Sequence, residues 1–285
     1  MKKDLAQLIE ENMPSFSKGK RRIADAVLTE YDKVAYMTAA KLSEMVGVSE
    51  STVVRFAIDL GFEGYPEFQH AVQELVRTKL TPNQRIRITE ERLSGADPIG
   101  NVLTSDIEKI KYTLQTVDRS AFSASVDAIV SAKDVYLFGV RSSAFLAGFF
   151  NFNLSMIQDN VRLVQPTSSS EVFEQILGIG EKDVLFAISF PRYSAKVVNA
   201  VKYARKQNAT VIALTDSALS PLAEHANYLL TAQSDMASFV DTLVAPLSVI
   251  DALLVSVTQK RGGEVRERFD RLESVWDEYD VYAKR

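Results

Sequence analysis

Apolar residues in the first 80 positions recur every three or four residues and never alternate over a long run. Leu5, Leu8 and Ile9 form one set, Ile23, Ala24, Val27 and Leu28 a second, Leu42 and Met45 a third, and Val53, Val54, Phe56, Ala57 and Leu60 a fourth. That period predicts several short amphipathic helices and no strand. Breaks fall at Met13-Pro14-Ser15, at Gly47 and at Gly61-Phe62-Glu63-Gly64-Tyr65-Pro66. The text then turns polar over 81–98, TPNQRIRITEERLSGADP, with a proline near each end, and a linker is expected there. Ile99 to Ala132 reads as one or two amphipathic helices. Beyond it five short apolar runs, VYLFGV at 135–140, VRLV at 161–164, VLFAIS at 184–189, TVIALT at 210–215 and NYLLTA at 227–232, alternate with helical stretches. Strands spaced by helices predict a parallel sheet covered on both faces. The expected fold class is thus α and α/β: an all-helical domain over 1–80, the linker, a doubly wound domain over 99–260, and a C-terminal helix over 261–285.

One pair of predicted helices has a sharper internal logic. A helix with Leu42 and Val46 on its buried side stops at Gly47, which tolerates the left-handed backbone of a tight turn. Ser49 then offers an N-cap oxygen for a second helix beginning near Thr52 and Val53. Two helices across a short glycine-containing turn are the helix-turn-helix geometry, whose second helix enters the major groove. Val53, Val54 and Ala57 are expected to pack inward, leaving Ser49, Glu50, Ser51, Thr52 and Arg55 at the end and face that meet DNA. Arg55 is the candidate for reading a base or clamping a phosphate, with an ion pair inside the domain as the alternative.

Charge first argues against this. The 285 residues carry 33 basic and 37 acidic side chains, a net −4, whereas DNA affinity rests on Lys and Arg. Residues 93–259, with 12 basic and 16 acidic side chains, hold the excess; residues 1–80 have 11 and 12. Within that near-neutral segment Lys18, Lys20, Arg21 and Arg22 fall inside five residues, so Lys20, Arg21 and Arg22 join the expected DNA contacts. A solvated helix start is the plain alternative. There is no cysteine, which removes disulfides, thiolate metal ligands and thiol nucleophiles and suits a reducing, cytoplasmic setting. The opening MKKDLAQLIEENMPSF mixes acids into its apolar positions and reads as neither signal peptide nor anchor, and no apolar run approaches a membrane span.

The run LSEMVGVSESTVVRFAIDLGFEGYPEFQ, with TVVRF followed by LGF, GY and F, closely resembles the N-terminal DNA-binding domain of the RpiR family of bacterial transcriptional regulators over residues 1–80. The resemblance implies a helical domain with the helix-turn-helix as its reading head, followed by a sugar isomerase (SIS) domain that senses a metabolite.

Open α/β sheets bind ligands beyond the carboxyl ends of their strands. The loops there read Gly139-Val140-Arg141-Ser142-Ser143-Ala144, Pro166-Thr167-Ser168-Ser169-Ser170 and Ser189-Phe190-Pro191-Arg192-Tyr193-Ser194. Hydroxyls before a helix N-terminus suit an anion, although serines are also ordinary caps. Arg141, Ser142, Ser143, Ser189, Arg192, Tyr193 and Ser194 are the expected ligand contacts. Residues 100–259 also resemble a SIS domain, with two departures. Arg141 stands where the family usually has a second glycine. In the third loop, usually Ser-x-Ser-Gly-x-Thr, Pro191, Arg192 and Ser194 replace the second serine, the glycine and the threonine. Two guanidinium forks can compensate for a lost serine, or select a sugar acid or dicarboxylate over a sugar phosphate, or merely pair with Asp159, Glu171 or Glu174.

Sugar-phosphate isomerisation needs a base poised near neutrality. The two histidines, His70 and His225, fall in the reading domain and in SPLAEHANYLL, and Glu171 and Glu174 are the remaining conceivable bases. No nucleotide loop, zinc spacing or Ser-His-Asp order occurs. No catalytic residue, metal or cofactor is therefore expected, and the leading reading is a regulator that binds double-stranded operator DNA and a small anionic carbohydrate-derived effector. A sugar-phosphate isomerase with a helical accessory module is the alternative, and a helical protein-binding adaptor the third. Val265, Phe269, Leu272, Val275, Trp276 and Tyr279 form a C-terminal stripe that suits packing, in part against a second subunit, since readers of this class bind paired half-sites as symmetric homodimers.

Overall fold

The computed structural model describes residues 5–79, 81, 83–86, 89, 97–168, 170–235 and 240–282. The chain divides into two compact units, Met1–Arg92 and Leu93–Arg285. Most of the segment 81–98, where a linker is expected, lies outside the described residues; residues 83–86 within it are helical, and Pro98 already begins the next helix.

The first unit has helices and no strand among its described residues: α1 (Leu5–Asn12), a 3-10 turn at Met13–Ser15, α2 (Lys18–Thr29), α3 (Tyr31–Val34), α4 (Ala39–Val46), α5 (Glu50–Asp59) and α6 (Tyr65–Lys79). Its core gathers around Phe56, fully buried on α5, whose ring lies 5.1 Å from Phe16 and 5.6 Å from Phe68. Offset and edge-on contacts of this kind add about 0.5–1.5 kcal/mol each to the burial itself. Val53 and Ala57 are buried as expected and Val54 half-buried. Met45, read from its spacing as part of the apolar set, is instead exposed, in a surface groove with Arg22, Asp25 and Thr29. In a helix of two turns one position of such a set can lie at the margin of the stripe, and the packing of α2 against α4 decides which.

Helix α6 is stapled to the loop before α4 by polar bonds: the Tyr65 hydroxyl and the Gln69 amide both donate to the Met37 carbonyl, at 2.8 and 2.7 Å, and Gln73 donates to Ala35. Burial pushes the Tyr65 phenol up to about 12 from its usual 10. Between those values the unfolded chain has released a proton that the folded one keeps, so stability falls as pH rises from about 10 towards 12. Thermal melts at pH 9 and pH 11.5 should show this loss in the wild type. Tyr65→Phe should cost about 1 kcal/mol at neutral pH and lose less on going to pH 11.5; equal alkaline losses in the two proteins would exclude Tyr65 as the source.

In the second unit α7 (Pro98–Thr116) and α8 (Arg119–Ser131) precede a five-stranded sheet, β1 (Val135–Gly139), β2 (Val161–Val164), β3 (Val184–Ile188), β4 (Thr210–Thr215) and β5 (Tyr228–Thr231). The strands connect through α9 (Ser142–Ser155), the short α10 (Glu171–Gln175), α11 (Ala195–Lys206) and a 3-10 turn at Ala223–His225, and α12 (Val244–Arg261) and α13 (Gly263–Glu278) close the chain. Every pairing is parallel, in the order β2-β1-β3-β4-β5. Alternate residues serve opposite faces: Val135, Leu137, Phe186 and Ile212 pack under α8, α9 and α12, while Tyr136, Phe138, Leu185 and Val211 pack under α10 and α11. Burial on both sides is why these strands read as continuous apolar runs.

Two expectations change here. The C-terminal stripe divides: Val265 is buried, Phe269 packs on the core and Leu272 and Trp276 are half-buried, but Val275 and Tyr279 are exposed. Helix α7 is amphipathic as predicted, yet it turns its polar side to the protein. Lys109 and Thr113 are its buried residues, and its large aliphatic side chains face outward.

Candidate functional site

In the first unit, α4 ends at Gly47 in the left-handed conformation (φ 66°), and Ser49 caps α5 by accepting from the Thr52 N–H at 3.3 Å. Thr38 caps α4 in the same way, accepting from the Lys41 N–H at 3.3 Å. The hydroxyls of Ser49, Ser51 and Thr52 bond among themselves at 2.8–2.9 Å, a polar ridge at the start of α5. Ser49, Glu50, Ser51 and Arg55 are exposed and Thr52 half-buried. Among the described residues no ion pair or hydrogen bond engages the Arg55 guanidinium.

The basic cluster is differently employed. Lys20 pairs with Asp59 at the far end of α5, Arg21 donates to the Pro14 carbonyl at 3.2 Å, and Arg22 donates to the Gly47 carbonyl at 2.9 Å. Helix α2 therefore braces both the turn and the reading helix. A Cβ on Gly19 would stand 3.4 Å from Val48 and 3.8 Å from Thr52, which places the first turn of α2 directly beside the start of α5. The exposed cations of the cluster thus border the same ridge.

In the second unit, strand order reverses direction between β1 and β3. In open α/β sheets such a switch point, at the carboxyl ends of the two strands, is where ligands bind. The loops after β1 and β3 flank it. At the end of β1 a Cβ on Gly139 would lie 2.5 Å from the Ser143 carbonyl oxygen, so the first turn of α9 stacks on the strand with no room for a side chain. Ser143 and Ser189 are buried, Ser142 is exposed, and the Ser189 hydroxyl accepts from Ser194 N–H at 3.3 Å, closing the third loop. The Tyr193 hydroxyl donates to Asp216 at 2.8 Å, just past β4. Asp216 was not anticipated; the signal for it was its place at another strand end.

Arg141 and Arg192 are both exposed and both sit at positive φ, 56° and 63°. These are the two positions at which the resemblance called for glycine, so the backbone has kept the glycine conformation under a residue that resists it. Such a conformation costs on the order of 1–3 kcal/mol and concentrates at sites where the geometry is needed. Neither helix that starts from these loops, α9 or α11, is capped by a side chain, a state shared with α2, α3, α10, α12 and α13; what distinguishes α9 and α11 is that each follows an arginine at positive φ. Two of the three expected ion-pair partners are engaged elsewhere, and no ion pair among the described residues joins Glu174 to either arginine. Asp159 pairs with Arg268 at 2.6 Å, and Glu171 accepts from the Thr167 hydroxyl at 2.7 Å. That hydroxyl, then the backbone N–H groups of Thr167 and Ser168, hold the Glu171 carboxyl below its usual range, the opposite of a base tuned towards neutrality.

Comparison with known proteins adds independent findings. The model of the helix-turn-helix domain of the rpiR family matches residues 3–79 and that of the SIS domain matches residues 128–256. The chain is 28% identical to the HTH-type transcriptional regulator HexR of Escherichia coli K12, over 96% of this chain and 95% of that one. To HexR of Pseudomonas aeruginosa it is 25% identical, over 95% and 94%. Among solved structures, Vibrio vulnificus NanR complexed with ManNAc-6P aligns with a TM-score of 0.61 at 22% identity, covering 98% of this chain and 100% of that one. The sugar isomerase domain of an RpiR transcription factor from Sphaerobacter thermophilus aligns with a TM-score of 0.58 at 25% identity, covering 61% and 97%.

Proposed function

The chain belongs to the rpiR family of helix-turn-helix transcriptional regulators with a SIS domain, and from that premise we propose how this one works. Two copies bind the half-sites of an operator, each inserting the start of α5 into the major groove. Arg55 reaches the base edges, Ser49, Glu50, Ser51 and Thr52 line the groove wall, and Lys20, Arg21 and Arg22 follow the phosphates. The SIS unit acts as a sensor in the cytoplasm and carries out no reaction. Its ligand is a sugar phosphate or sugar acid held between the ends of β1 and β3 by Arg141, Ser142 and Ser143 on one side and by Ser189, Arg192, Tyr193 and Ser194 on the other. Occupancy of that site changes operator affinity, with a coupling of about 1–3 kcal/mol typical of such linkage.

The observation that carries the ligand site is the pair of uncapped helix N-termini at the switch point, each preceded by an arginine at positive φ. Free N–H groups and the helix dipole favour an anion, and a guanidinium adds a bidentate fork. Vibrio NanR, which shares the fold, was solved with a sugar phosphate. Glycine at both arginine positions gives a clean test, because it removes the cations while relieving the backbone. Arg141→Gly/Arg192→Gly is expected to melt at the wild-type temperature or above it. The wild type should gain a few degrees with a hexose 6-phosphate or 6-phosphogluconate at saturating concentration, equivalent to about 2.7 kcal/mol at a hundredfold excess over Kd. The double variant should lose that gain. An undiminished shift would place the site elsewhere.

A further inference from the structure

Arg192 keeps a backbone that glycine would adopt freely. Its φ of 63° lies in the left-handed region, and its side chain is exposed, so no packing of its own holds it there. The frame on either side does. Before it, Phe190 and Pro191 are buried, and the proline ring fixes its own φ and biases Phe190 towards extended backbone. The loop starts tied to the neighbouring strand, with the Ser189 N–H donating to the Leu214 carbonyl of β4 at 3.2 Å. After Arg192, the Ser194 N–H donates back to the Ser189 hydroxyl, and the Tyr193 hydroxyl crosses to Asp216 at 2.8 Å. Asp216 follows β4 directly, is only 8% exposed and also accepts from the hydroxyl of buried Thr215 at 3.1 Å, so the acceptor is itself fixed. The third loop is thus fastened to β4 and its end at two points, with the strained residue between them.

We propose that Asp216 is a positioning residue for the effector site: through Tyr193 it latches the third loop and holds Arg192 in the conformation that presents its guanidinium to the ligand. That role rests on the proposed ligand site, whereas the hold on the backbone does not. A loop with glycine at 192 would follow the same path unaided, because glycine takes positive φ at no steric cost. With arginine there the path is strained, and such a conformation persists only where its surroundings over-determine it. The Tyr193 bond suits that task, since its acceptor lies 23 residues further along the chain, outside the loop's own turn. What the latch contributes is preorganisation: a guanidinium whose backbone is already set loses less freedom when it meets an anion. The first loop needs no counterpart, because Arg141 is followed at once by α9, whose first turn stacks on Gly139.

Two consequences separate a latch from a bond that merely stabilises the end of β4. Once the latch is cut, Arg192 relaxes to negative φ, and part of the lost stability returns. With glycine at 192 nothing is left to relax, so the loss is complete. Cutting the latch also weakens ligand binding only where there is an arginine to misplace.

Calorimetry on the full chain without ligand compares Asp216→Ala in the wild type and in Arg192→Gly. The fall in the SIS melting temperature should be larger by about 2 °C or more in the glycine background. Should Asp216→Ala fail to fold, Tyr193→Phe cuts the same bond and takes its place in the comparison. Titration with 6-phosphogluconate gives the second readout. Asp216→Ala should bind roughly tenfold more weakly than wild type, and Asp216→Asn, which keeps an oxygen acceptor for Tyr193, within about twofold of it. In the Arg192→Gly background, Asp216→Ala should leave the remaining affinity unchanged. Equal thermal losses in the two backgrounds, wild-type affinity in Asp216→Ala, or an Asn variant as weak as the Ala variant would overturn the proposal. A wild type that binds neither a hexose 6-phosphate nor 6-phosphogluconate would refute the ligand reading instead, and the thermal comparison, which uses no ligand, would still decide whether Asp216 holds the backbone of Arg192.

Discussion

Gly139→Ala is expected to lower the melting temperature of the SIS unit by about 10 °C and to abolish its response to sugar phosphates. The added methyl would stand 2.5 Å from the carbonyl oxygen and 2.8 Å from the carbonyl carbon of Ser143, both backbone atoms that no rotamer change can move. Relief requires α9 to lift from β1, and α9 carries Leu146, Phe150 and Leu154 into the core, Phe150 with its ring 4.9 Å from that of Phe186. Overpacking of this kind costs about 3 kcal/mol at the upper end of its usual range. In a unit of this size each kcal/mol corresponds to roughly 2–4 °C. The same displacement carries Ser142, Ser143 and the free N–H groups of α9 away from the switch point, so stability and ligand response fall together. Calorimetry on the full chain checks this. The transition of the helical unit should stay in place while that of the SIS unit moves down, and an unmoved SIS transition would mean that the close approach at Gly139 is easily relaxed.

Arg55→Ala is expected to leave the melting temperature within a degree of wild type and to weaken operator binding by two orders of magnitude or more. The first part follows from its exposure and from the lack of an ion-pair partner among the described residues. The second follows from the worth of a good arginine contact to a base, about 1–3 kcal/mol, counted once at each of two half-sites. Fluorescence anisotropy with a duplex selected from random sequence by the wild-type protein measures it. Salt dependence separates the two roles open to Arg55. A base reader leaves the slope of log K against log salt unchanged and relaxes preference at one base pair, whereas a phosphate clamp lowers the slope by about one per head. Unchanged affinity would remove Arg55 from the reading surface. By contrast Arg22→Ala should act partly through structure, since Arg22 holds the Gly47 carbonyl and with it the turn that orients α5.

Much of this molecule was legible from local pattern. The helix-turn-helix could be read because its signals lie within a few residues of one another: Gly47 supplies a left-handed turn, Ser49 a cap, and Val53 and Ala57 an inward face. The five strands were legible for a related reason, because a strand buried on both sides must be apolar at consecutive positions. What the pattern could not supply was partnership. Lys20 and Arg22 look like free cations in the sequence and are braces in the fold, since Asp59 and the Gly47 carbonyl lie 39 and 25 residues away along the chain. Glu171, conceivable as a base, is instead committed to Thr167.

The amino-acid sequence by itself determined the two kinds of domain, the reading helix and the loops that flank the switch point, because each depends on periodicity, glycine, proline and caps acting over one or two turns. Only the tertiary structure decided which arginines carry glycine-like backbone, why Gly139 admits no side chain, and which way α7 faces. An amphipathic period states that a helix has two sides. Which side meets the body depends on the polar groups waiting there, here Thr242 and the Gln233 N–H, brought to α7 from more than a hundred residues away.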